Sequence, residues 1–285
     1  MLVHIKDIVW EAKKNNYAVG AFNVHNFETI LGVAKAAVEA RSPAIIQVSE
    51  GAIEYMGLKP LTHLVSTVAK NLAAGVPIAL HIDHGKSFDS VFACINAGFS
   101  SVHIDGSELP LDENIALTKS VKEAVGSKDV WVQGEVGPMR GGHGVVGEII
   151  EEVPIAKLEE VVDFVKATNV DTIAAAIGSA HGCYKNEDIK FDLLQAIKEK
   201  LDTPFVLHGG SGIEDEKIKK AIQMGVNIIN IGTDIKVAFS KTLIEVCKNN
   251  PEETDPRKLL RPTIDAVKKV AMEKMILFGS ANRIK

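Results

Sequence analysis

The chain has 285 residues, of which 46% are hydrophobic and 24% are charged. This composition excludes a disordered or fibrous protein, and the length suffices for one barrel domain or two smaller domains. The formal net charge of −5 and the pI near 6.0 argue against a broad binding surface for nucleic acid or anionic membranes. They leave small anionic ligands open.

The cysteine pattern and the N-terminal segment predict a cytoplasmic protein. Cys94, Cys183 and Cys247 are odd in number and widely spaced, without the C-x-x-C pattern of a zinc or redox site or the density of a disulfide framework. Met1–Lys14 carries several charges instead of a long apolar run. We therefore expect neither a signal peptide nor a membrane anchor.

Short β-branched or apolar runs alternate with longer stretches that have apolar residues at helical spacing. The runs predict strands at Ala18–Asn23, Ala44–Val48, Pro77–Asp83, Ser101–Asp105, Val130–Val136, Thr172–Ile177, Pro204–His208 and Asn227–Ile231. The intervening stretches predict helices at Phe27–Ala40, Leu61–Ala74, Ser87–Ala97, Leu111–Val125, Leu158–Ala167, Phe191–Lys200 and Ile213–Met224, with more helix after Thr233.

Eight strand candidates that alternate with helices predict a parallel sheet, because parallel neighbours need a crossover connection that a helix supplies. Eight is also the strand number of a (β/α)8 TIM barrel. An open doubly wound sheet is the alternative, but no G-x-G-x-x-G motif follows the first strand and the sequence has no P-loop motif. We therefore expect an α/β protein with a single (β/α)8 TIM barrel domain over residues 1–285.

Two segments interrupt the alternation of strands and helices. Residues 137–151 form a glycine-rich stretch after the fifth strand, which is typical of a mobile loop or lid. Residues 248–261 form a polar excursion between two late helices. The second of these helices is predicted to be a C-terminal extension of the barrel.

Polar residues concentrate at the carboxyl ends of the predicted strands, where barrel enzymes carry their active groups. His84, His181 and His208 fall at three of these ends, each next to a glycine. Any one of them alone is best interpreted as a structural histidine, but three at one end of a barrel predict a metal site. Three imidazoles that leave a fourth position open suit a catalytic zinc ion.

Asp83 directly precedes His84, so its carboxylate could move a proton on a substrate held by the metal. The alternative is that Asp83 orients a histidine ligand. His81 shares the strand face of Asp83 by period-two alternation and is interpreted as inward-facing support.

Two glycine-rich turns predict a phosphate site. Gly209–Gly212 runs into a predicted helix, and Gly232 and Thr233 precede the last barrel helix. Backbone N–H groups and a hydroxyl at helix starts after the last two strands often bind phosphate in such barrels.

The remaining polar residues near the strands are predicted to have structural or surface roles and not to take part in the chemistry. Asp105 and Glu108 follow the fourth strand, where helix capping or solvation is favoured over a second metal site. The histidines without a companion at ligand spacing are interpreted as surface or loop residues: His4, His25, His63 and His103.

The chain contains seven further strings in this order: AFNVHN, HIDHG, SVHIDGS, GSAHGCYK, VLHGGSGI, IINIGTD and FGSANR. Together they resemble, over nearly the whole chain, the class II zinc-dependent ketose-bisphosphate aldolases. This family includes the fructose- and tagatose-1,6-bisphosphate aldolases. The resemblance is specific because several independent motifs fall at the matching strand ends.

The resemblance implies roles for individual residues. Asp83 matches the catalytic acid/base, His84, His181 and His208 match the zinc ligands, and Glu135 resembles a carboxylate that is an alternative ligand or lies close to one. The residues that match contacts to dihydroxyacetone phosphate and the adjoining substrate are Asn23, Gly182, Lys185, Gly209, Gly210, Ser211, Asn230, Ile231, Gly232 and Thr233. The residues implied in distal contacts, from the same or a neighbouring subunit, are Ser49, Asp255, Arg257 and Arg283.

The resemblance also implies the ligands and the assembly of the protein. One catalytic Zn2+ ion per subunit is expected, with a monovalent cation as an optional addition. A phosphorylated sugar is the expected substrate, and neither nucleic acid nor a membrane is an expected partner. A homodimer or homotetramer is the expected assembly.

Two departures from the family pattern lie in the fifth strand and the segment after it. Gln133 is an amide where relatives often carry a carboxylate, and Arg140–His143 replaces a usually acidic stretch. Both departures bear on two features of the family pattern, the donation of a proton by the lid and the presence of a second metal position. The main zinc site is complete.

We therefore predict reversible zinc-assisted aldol cleavage of fructose 1,6-bisphosphate to dihydroxyacetone phosphate and glyceraldehyde 3-phosphate. Tagatose 1,6-bisphosphate or another ketose phosphate is the alternative substrate. A metal-dependent hydrolase and a non-catalytic zinc-binding barrel are further alternatives. The first typically has an early H-x-H motif, which is absent here, and the second normally needs a fourth protein ligand.

Overall fold

The computed structural model describes residues 1–126, 128–151, 153–185 and 187–284, with the backbone alone at residues 143 and 144. Eight parallel strands close into a barrel. They are β1 (Val19–Asn23), β2 (Ala44–Val48), β3 (Ile78–Gly85), β4 (Ser101–Ile104), β5 (Trp131–Val136), β7 (Thr172–Ala175), β9 (Phe205–Leu207) and β10 (Val226–Ile231). Two more strands, β6 (Gly141–Val146) and β8 (His181–Cys183), form a small separate sheet. The predicted TIM barrel is confirmed.

Each barrel strand pairs with the next barrel strand along the chain, and β10 closes the ring on β1. The helices are α1 (Ile5–Lys14), α2 (Phe27–Glu39), α3 (Glu50–Met56), α4 (Leu58–Asn71), α5 (Phe88–Asn96), α6 (Leu111–Val125), α7 (Leu158–Thr168), α8 (Phe191–Lys200), α9 (Asp215–Gln223), α10 (Thr233–Asn249) and α11 (Pro256–Leu277). Among the residues that the structure describes, no helix combines the length and apolarity needed to cross a bilayer.

The period of two along each strand divides the apolar residues between two cores. In β3, Ile78, Leu80 and Ile82 belong to the large core between the strands and the outer helices. Ala79 belongs to a second, smaller core inside the barrel.

Helix α1 closes the amino end of the barrel. Its buried residues Ile5, Ile8, Val9 and Ala12 recur at helical spacing and pack against inward-facing strand residues such as Ile45. His4 caps the helix, because its ring Nδ1 accepts the backbone N–H of Lys6. The lower half of the barrel interior is therefore apolar and sealed.

The upper half of the interior is polar. The next inward-facing positions toward the carboxyl ends of the strands are all buried, and they carry amides, imidazoles and carboxylates: Asn23, Gln47, His81, Asp83, His103, Gln133, Glu135, His208 and Asn230. Burial of so many polar groups requires mutual partners or a bound ion. The alternation within the strands thus concentrates the chemistry at one end of the barrel.

The structure contains elements that the periodicity did not predict. Strand β6 lies in the predicted glycine-rich loop and pairs in parallel with β8, while the mobility of this segment stays a prediction. The predicted polar excursion at residues 248–261 ends early, because Asp255 caps α11 and Pro256 occupies its first turn. A proline at this position needs no backbone hydrogen bond. The single-domain organisation stays a prediction.

Helix α11 crosses α2 at a glycine. A Cβ atom at Gly32 would lie 2.5 Å from Cγ1 of Val267 and 3.1 Å from the carbonyl oxygen of Ile264. Val267 is fully buried, so neither neighbour has room to withdraw. The close contact of the two helices depends on the missing side chain.

We expect Gly32→Ala to lower the free energy of unfolding by about 1–3 kcal/mol, because overpacking outweighs the gain in helix propensity. Urea denaturation would measure the change. Gly51→Ala in α3 is the matched control, because nothing lies within 4 Å of its Cβ position, and this variant should be neutral or more stable. Equal stability of both variants would contradict the packing argument.

Candidate active site

The three histidines predicted as metal ligands lie together above the polar end of the barrel. The ring centroid of His84 lies 4.9 Å from that of His181 and 4.8 Å from that of His208. Nδ1 of His208 is 3.1 Å from Nε2 of His84. Residues from β3, β8 and the end of β9 thus converge, although 124 positions separate His84 from His208.

The backbone directs His84 into this cluster. Its φ of +52° lies in the left-handed region, which costs energy for a residue with a side chain. The register of β3 against β4 shifts between Ile82 and Gly85, as at a β-bulge, and such irregularities re-aim side chains at functional sites. Gly85 has no room for a Cβ, which would lie 2.5 Å from Val91 and 2.8 Å from the carbonyl oxygen of His103.

Asp105 orients the ring of His84. Nδ1 of His84 donates to Oδ2 of Asp105 over 2.7 Å, and the same oxygen accepts from Nζ of Lys86 over 2.6 Å. Burial alone would raise the pKa of Asp105, but these donors and nearby imidazoles hold it well below its usual range. The prediction that Asp105 caps a helix or is solvated was wrong. With Nδ1 occupied, Nε2 of His84 is the nitrogen that faces the cluster.

His103 is not a surface or loop residue, so that prediction was also wrong. Its side chain is fully buried at an inward position of β4, and its ring centroid lies 4.8 Å from that of His84. Nδ1 of His103 accepts the backbone N–H of His84 over 3.2 Å. The signal was present in the sequence, because His103 stands two residues before Asp105 and therefore shares its strand face.

Of the other histidines interpreted in the same way, His63 is exposed and agrees with that interpretation. His25 is half-buried near the mouth of the site. His4 is half-buried as the cap of α1. His81 is buried, with Nδ1 2.9 Å from Oγ of Ser101, and burial lowers its pKa to about 4.

Asp83 lies at the centre of a hydrogen-bond network. Its Oδ2 accepts from Nδ2 of Asn23 over 2.8 Å and from Nε2 of Gln47 over 3.4 Å, and its Oδ1 accepts from Nδ2 of Asn230 over 3.3 Å. Burial alone would raise the pKa of Asp83, but the charges of His84 and His208 and the bond from Asn23 lower it overall. This carboxyl group is therefore ionised and held in one orientation.

Glu135 differs from Asp83 in both its pKa and its hydrogen bonding. Burial raises its pKa to about 8, and neither carboxylate oxygen has a hydrogen-bond partner among the described residues. The closest imidazole nitrogens to its Oε2 are Nε2 of His103 at 3.4 Å, Nδ1 of His208 at 3.5 Å and Nδ1 of His84 at 3.7 Å. A buried acceptor without a donor is a position that a bound cation would stabilise.

Two groups of donor atoms fit a divalent metal ion, and the predicted ligand His181 belongs to neither group. Ligand atoms of Asp83, His84, His103 and His208 lie within 4.8 Å of one another, and so do those of His84, His103, Asp105 and Glu135. Competing charges give His84 a raised pKa: burial would lower it, but Asp83, Glu135 and Asp105 raise it to about 9. A cation would take over the role of that proton in balancing the carboxylates.

A pocket beside Asp83 contains most of the predicted phosphate contacts: Asn23, Gly182, Gly209, Ser211, Asn230, Gly232 and Thr233. A Cβ at Gly209 would lie 2.2 Å from the carbonyl oxygen of Ala180, at a φ of +66°. A Cβ at Gly210 would lie 2.4 Å from Ile229. Glycine is therefore required here for packing, whether or not a ligand is bound. The backbone at these turns is left open to the pocket.

Several predicted substrate contacts do not line this pocket. Ile231 is buried with its side chain in the outer core, so only its backbone can face a ligand. Lys185 is exposed and does not line the pocket. Ser49 lines the mouth of the site together with Asp83, His84 and His181.

The remaining distal residues do not reach the mouth within one subunit. Asp255 and Arg257 pair with each other at the start of α11, with 2.9 Å between Oδ2 and Nη2. Arg283 lies over the ring of Tyr17 and donates to the carbonyl oxygen of Gly279. The resemblance of the surrounding sequence therefore did not predict where Asp255, Arg257 and Arg283 lie relative to the site of their own subunit.

Ionisable groups inside one end of a closed β/α barrel, with a glycine-lined pocket next to them, define an enzyme of the TIM-barrel class. The comparisons with known proteins specify the family. The chain matches the family described as "Fructose-bisphosphate aldolase class-II" over residues 3–283. It therefore belongs to the class II fructose-bisphosphate aldolases, which are metal-dependent lyases that act on phosphorylated sugars.

Individual relatives cover essentially the whole chain. Over 285 residues it is 40% identical to the fructose-bisphosphate aldolase of Geobacillus stearothermophilus, covering 99% of this chain and 98% of that protein. Over 284 residues it is 39% identical to the 6-phospho-5-dehydro-2-deoxy-D-gluconate aldolase of Bacillus licheniformis, covering 99% and 96%. The crystal structure of the YdjI aldolase from Escherichia coli K12 superposes with a TM-score of 0.85 at 30% identity, covering 100% of both chains.

Gln133 is the partner of the third histidine. Its Nε2 lies 2.9 Å from Nε2 of His208, and both side chains are buried. A carboxamide has a donor and an acceptor, so after rotation its oxygen can accept Nε2–H of His208. That tautomer leaves the lone pair of Nδ1 directed at the cluster.

We expect Gln133→Leu to weaken metal binding by roughly 10- to 100-fold, because His208 loses the partner that fixes its tautomer and ring orientation. Competition with a chromophoric chelator would measure the affinity. Gln133→Glu keeps an acceptor toward Nε2–H and serves as the matched variant, with binding at least as tight as in the wild type. An unchanged affinity in Gln133→Leu would show that His208 needs no such partner.

Proposed function

We propose that the chain is a zinc-dependent aldolase that reversibly cleaves fructose 1,6-bisphosphate to dihydroxyacetone phosphate and glyceraldehyde 3-phosphate. The observation that carries the proposal is the convergence of an ionised, oriented Asp83 with three imidazoles beside a glycine-lined pocket. The fructose-bisphosphate aldolase relative at 40% identity supports the choice of substrate.

His84, His181 and His208 are the proposed zinc ligands, with Glu135 as a nearby carboxylate that balances the charge or replaces a ligand. Three imidazoles with an open fourth position favour zinc over a hard cation. Zinc bound there supplies Lewis-acid polarisation of the substrate carbonyl. Asp105 and Gln133 each hold one ligand ring by its other nitrogen, which keeps the site geometry fixed during turnover.

Asp83 is the proposed acid/base. In cleavage its carboxylate accepts the proton of the C4 hydroxyl, and in synthesis it returns a proton to the aldehyde oxygen. The bonds from Asn23 and Asn230 hold both carboxylate oxygens. The carboxylate therefore reaches the substrate without a search over rotamers.

The glycine-lined pocket is the proposed site for the phosphate of the dihydroxyacetone half. Backbone N–H groups of Gly209 and Gly232 and the hydroxyl of Ser211 are the proposed donors, and Thr233 also lines the pocket. Gly210 shapes the turn, because its own N–H donates to the carbonyl oxygen of Asn230 over 3.0 Å. The backbone of Gly182 and Ile231 completes the pocket, and Lys185 is a further proposed contact. Phosphate binding remote from the broken bond supplies energy that orients the reacting carbons.

The proposal includes the assembly of the protein. Arg257 and Arg283 lie away from the mouth of their own subunit, so a distal role for them, or for Asp255, requires a neighbouring subunit in a homodimer or homotetramer. A monovalent cation remains an optional addition to the zinc ion.

We expect Asp83→Asn to lower kcat by roughly 10²- to 10⁴-fold, the usual effect of a lost general acid/base, while zinc stays bound. Steady-state kinetics and metal analysis on the same preparation would measure both quantities. Asp112→Asn, an exposed position in α6, is the control and should leave both unchanged. A normal kcat in Asp83→Asn would contradict the acid/base role and leave Asp83 only the role of orienting His84.

The substrate is tested by comparing kcat/KM for three sugars on one zinc-loaded preparation. Fructose 1,6-bisphosphate should be preferred over tagatose 1,6-bisphosphate, which differs only at C4. The third compound is 6-phospho-5-dehydro-2-deoxy-D-gluconate, because a relative at 39% identity is named for it. A clear preference for either alternative would replace the proposed substrate, and no cleavage of any of them would overturn the aldolase proposal.

A further inference from the structure

Asp83 and His84 are neighbours in the chain, yet both face the reaction site. Both residues line its mouth. Successive residues of a regular strand point to opposite faces of the sheet, so a regular β3 would direct one of these two side chains into the outer core. The strand must therefore depart from regular geometry for the proposed acid/base and the proposed metal ligand to meet.

A β-bulge at the end of β3 resolves this conflict. Ile82 and Gly85 pair with the residues directly before and after His103 in β4. Asp83 and His84 therefore lie opposite the single residue His103, and two residues opposite one is the arrangement of a β-bulge. The φ of +52° at His84 is the backbone conformation that turns its side chain toward the site.

The bulge interrupts the hydrogen-bond ladder between the two strands, so the backbone N–H of His84 needs an acceptor from elsewhere. Nδ1 of His103 accepts this N–H over 3.2 Å. An imidazole nitrogen thus takes the place of the carbonyl oxygen that a regular ladder would provide. The side chain of His103 is fully buried, so solvent has no access to replace this acceptor.

Strand β4 holds His84 by two different groups. Oδ2 of Asp105 accepts from the ring Nδ1 of His84 over 2.7 Å, whereas His103 accepts from its backbone N–H. The bond to the ring fixes the side-chain torsions, and the bond to the backbone fixes the point from which the side chain starts. His103 and Asp105 can act together because residues two apart share one strand face.

The ring of His103 is itself held in place by its neighbours. Its centroid lies 4.8 Å from that of His84 and 5.4 Å from that of His208. Its Nε2 lies 3.4 Å from Oε2 of Glu135. The ring is therefore enclosed between two proposed metal ligands and a carboxyl group, and it cannot swing away without displacing them.

We infer that His103 is a positioning residue, which holds the bulge at His84 so that Nε2 of His84 faces the metal while Asp83 faces the substrate. His103 itself binds neither the metal nor the substrate. The inference rests on the proposed function for the identification of His84 as a zinc ligand. The bulge and its hydrogen bond do not depend on which sugar is cleaved.

The zinc affinities of His103→Leu and His103→Asn test the inference. The two side chains have nearly the same shape, but only Asn keeps an acceptor at the position of Nδ1. We expect His103→Leu to bind zinc roughly 10- to 100-fold more weakly than His103→Asn, the usual effect of losing a contact that orients a ligand. Competition with a chromophoric chelator would measure the affinities, and His63→Leu, at an exposed position in α4, should match the wild type.

Cobalt substitution separates positioning from a general loss of stability. The d–d absorption of bound Co2+ reports the geometry of its ligands. We expect this spectrum to change in His103→Leu and to return toward that of the wild type in His103→Asn. Equal zinc affinities of the two variants would overturn the inference. Weaker binding in His103→Leu with an unchanged cobalt spectrum would also overturn it, because the ligand geometry would then not depend on His103.

Nitrogen NMR of the metal-free wild type provides a test that does not require His103→Leu to fold. In protein labelled with 15N in its histidine rings, the signals that are lost in His103→Asn identify His103. We expect its neutral ring to carry the proton on Nε2 and to leave Nδ1 unprotonated, and a proton on Nδ1 would overturn the inference. None of these measurements involves a sugar, so a wild type that binds zinc but cleaves no ketose phosphate would overturn the proposed function alone.

Discussion

The balance of charge among buried ionisable groups at one end of the closed barrel constrains everything around them. These groups are the carboxyl groups of Asp83, Asp105 and Glu135 and the imidazole rings of His84, His103 and His208. Ionised carboxylates are unstable in such surroundings unless donors or cations compensate them. Asp83 and Asp105 have donors, whereas Glu135 has none among the described residues. A divalent cation held by the imidazoles would complete the balance, so the metal is part of the stability of the site as well as of its chemistry.

The rest of the fold separates this polar end from water and from the apolar core. Helix α1 seals the opposite end with apolar side chains, and the ionisable inward-facing residues lie toward the carboxyl ends of the strands. The bulge at His84 and the close packing of Gly209 against Ala180 bring the cluster and the glycine-lined pocket to the same end.

The sequence was informative wherever a local pattern determines the result. All eight barrel strands and the convergence of His84, His181 and His208 followed from periodicity and from the rule that active groups follow strands. His103 and Asp105 were misjudged, because each was considered alone and not as a pair on one inward strand face. The pairing of β6 with β8 and the positions of Arg257 and Arg283 depend on contacts between distant segments, which periodicity does not encode.

We propose that the metal binds to His84, His181 and His208 and not to the more compact groups that include His103. Nδ1 of His103 accepts the N–H of His84, so in the neutral ring the proton lies on Nε2, which excludes that nitrogen as a ligand. A crystal structure of the zinc-loaded protein with anomalous data at the zinc edge tests this directly. The account predicts one zinc ion with imidazole nitrogens of His84, His181 and His208 at about 2.0–2.1 Å. An ion bound through Nε2 of His103, with His181 or His208 outside the coordination sphere, would contradict it.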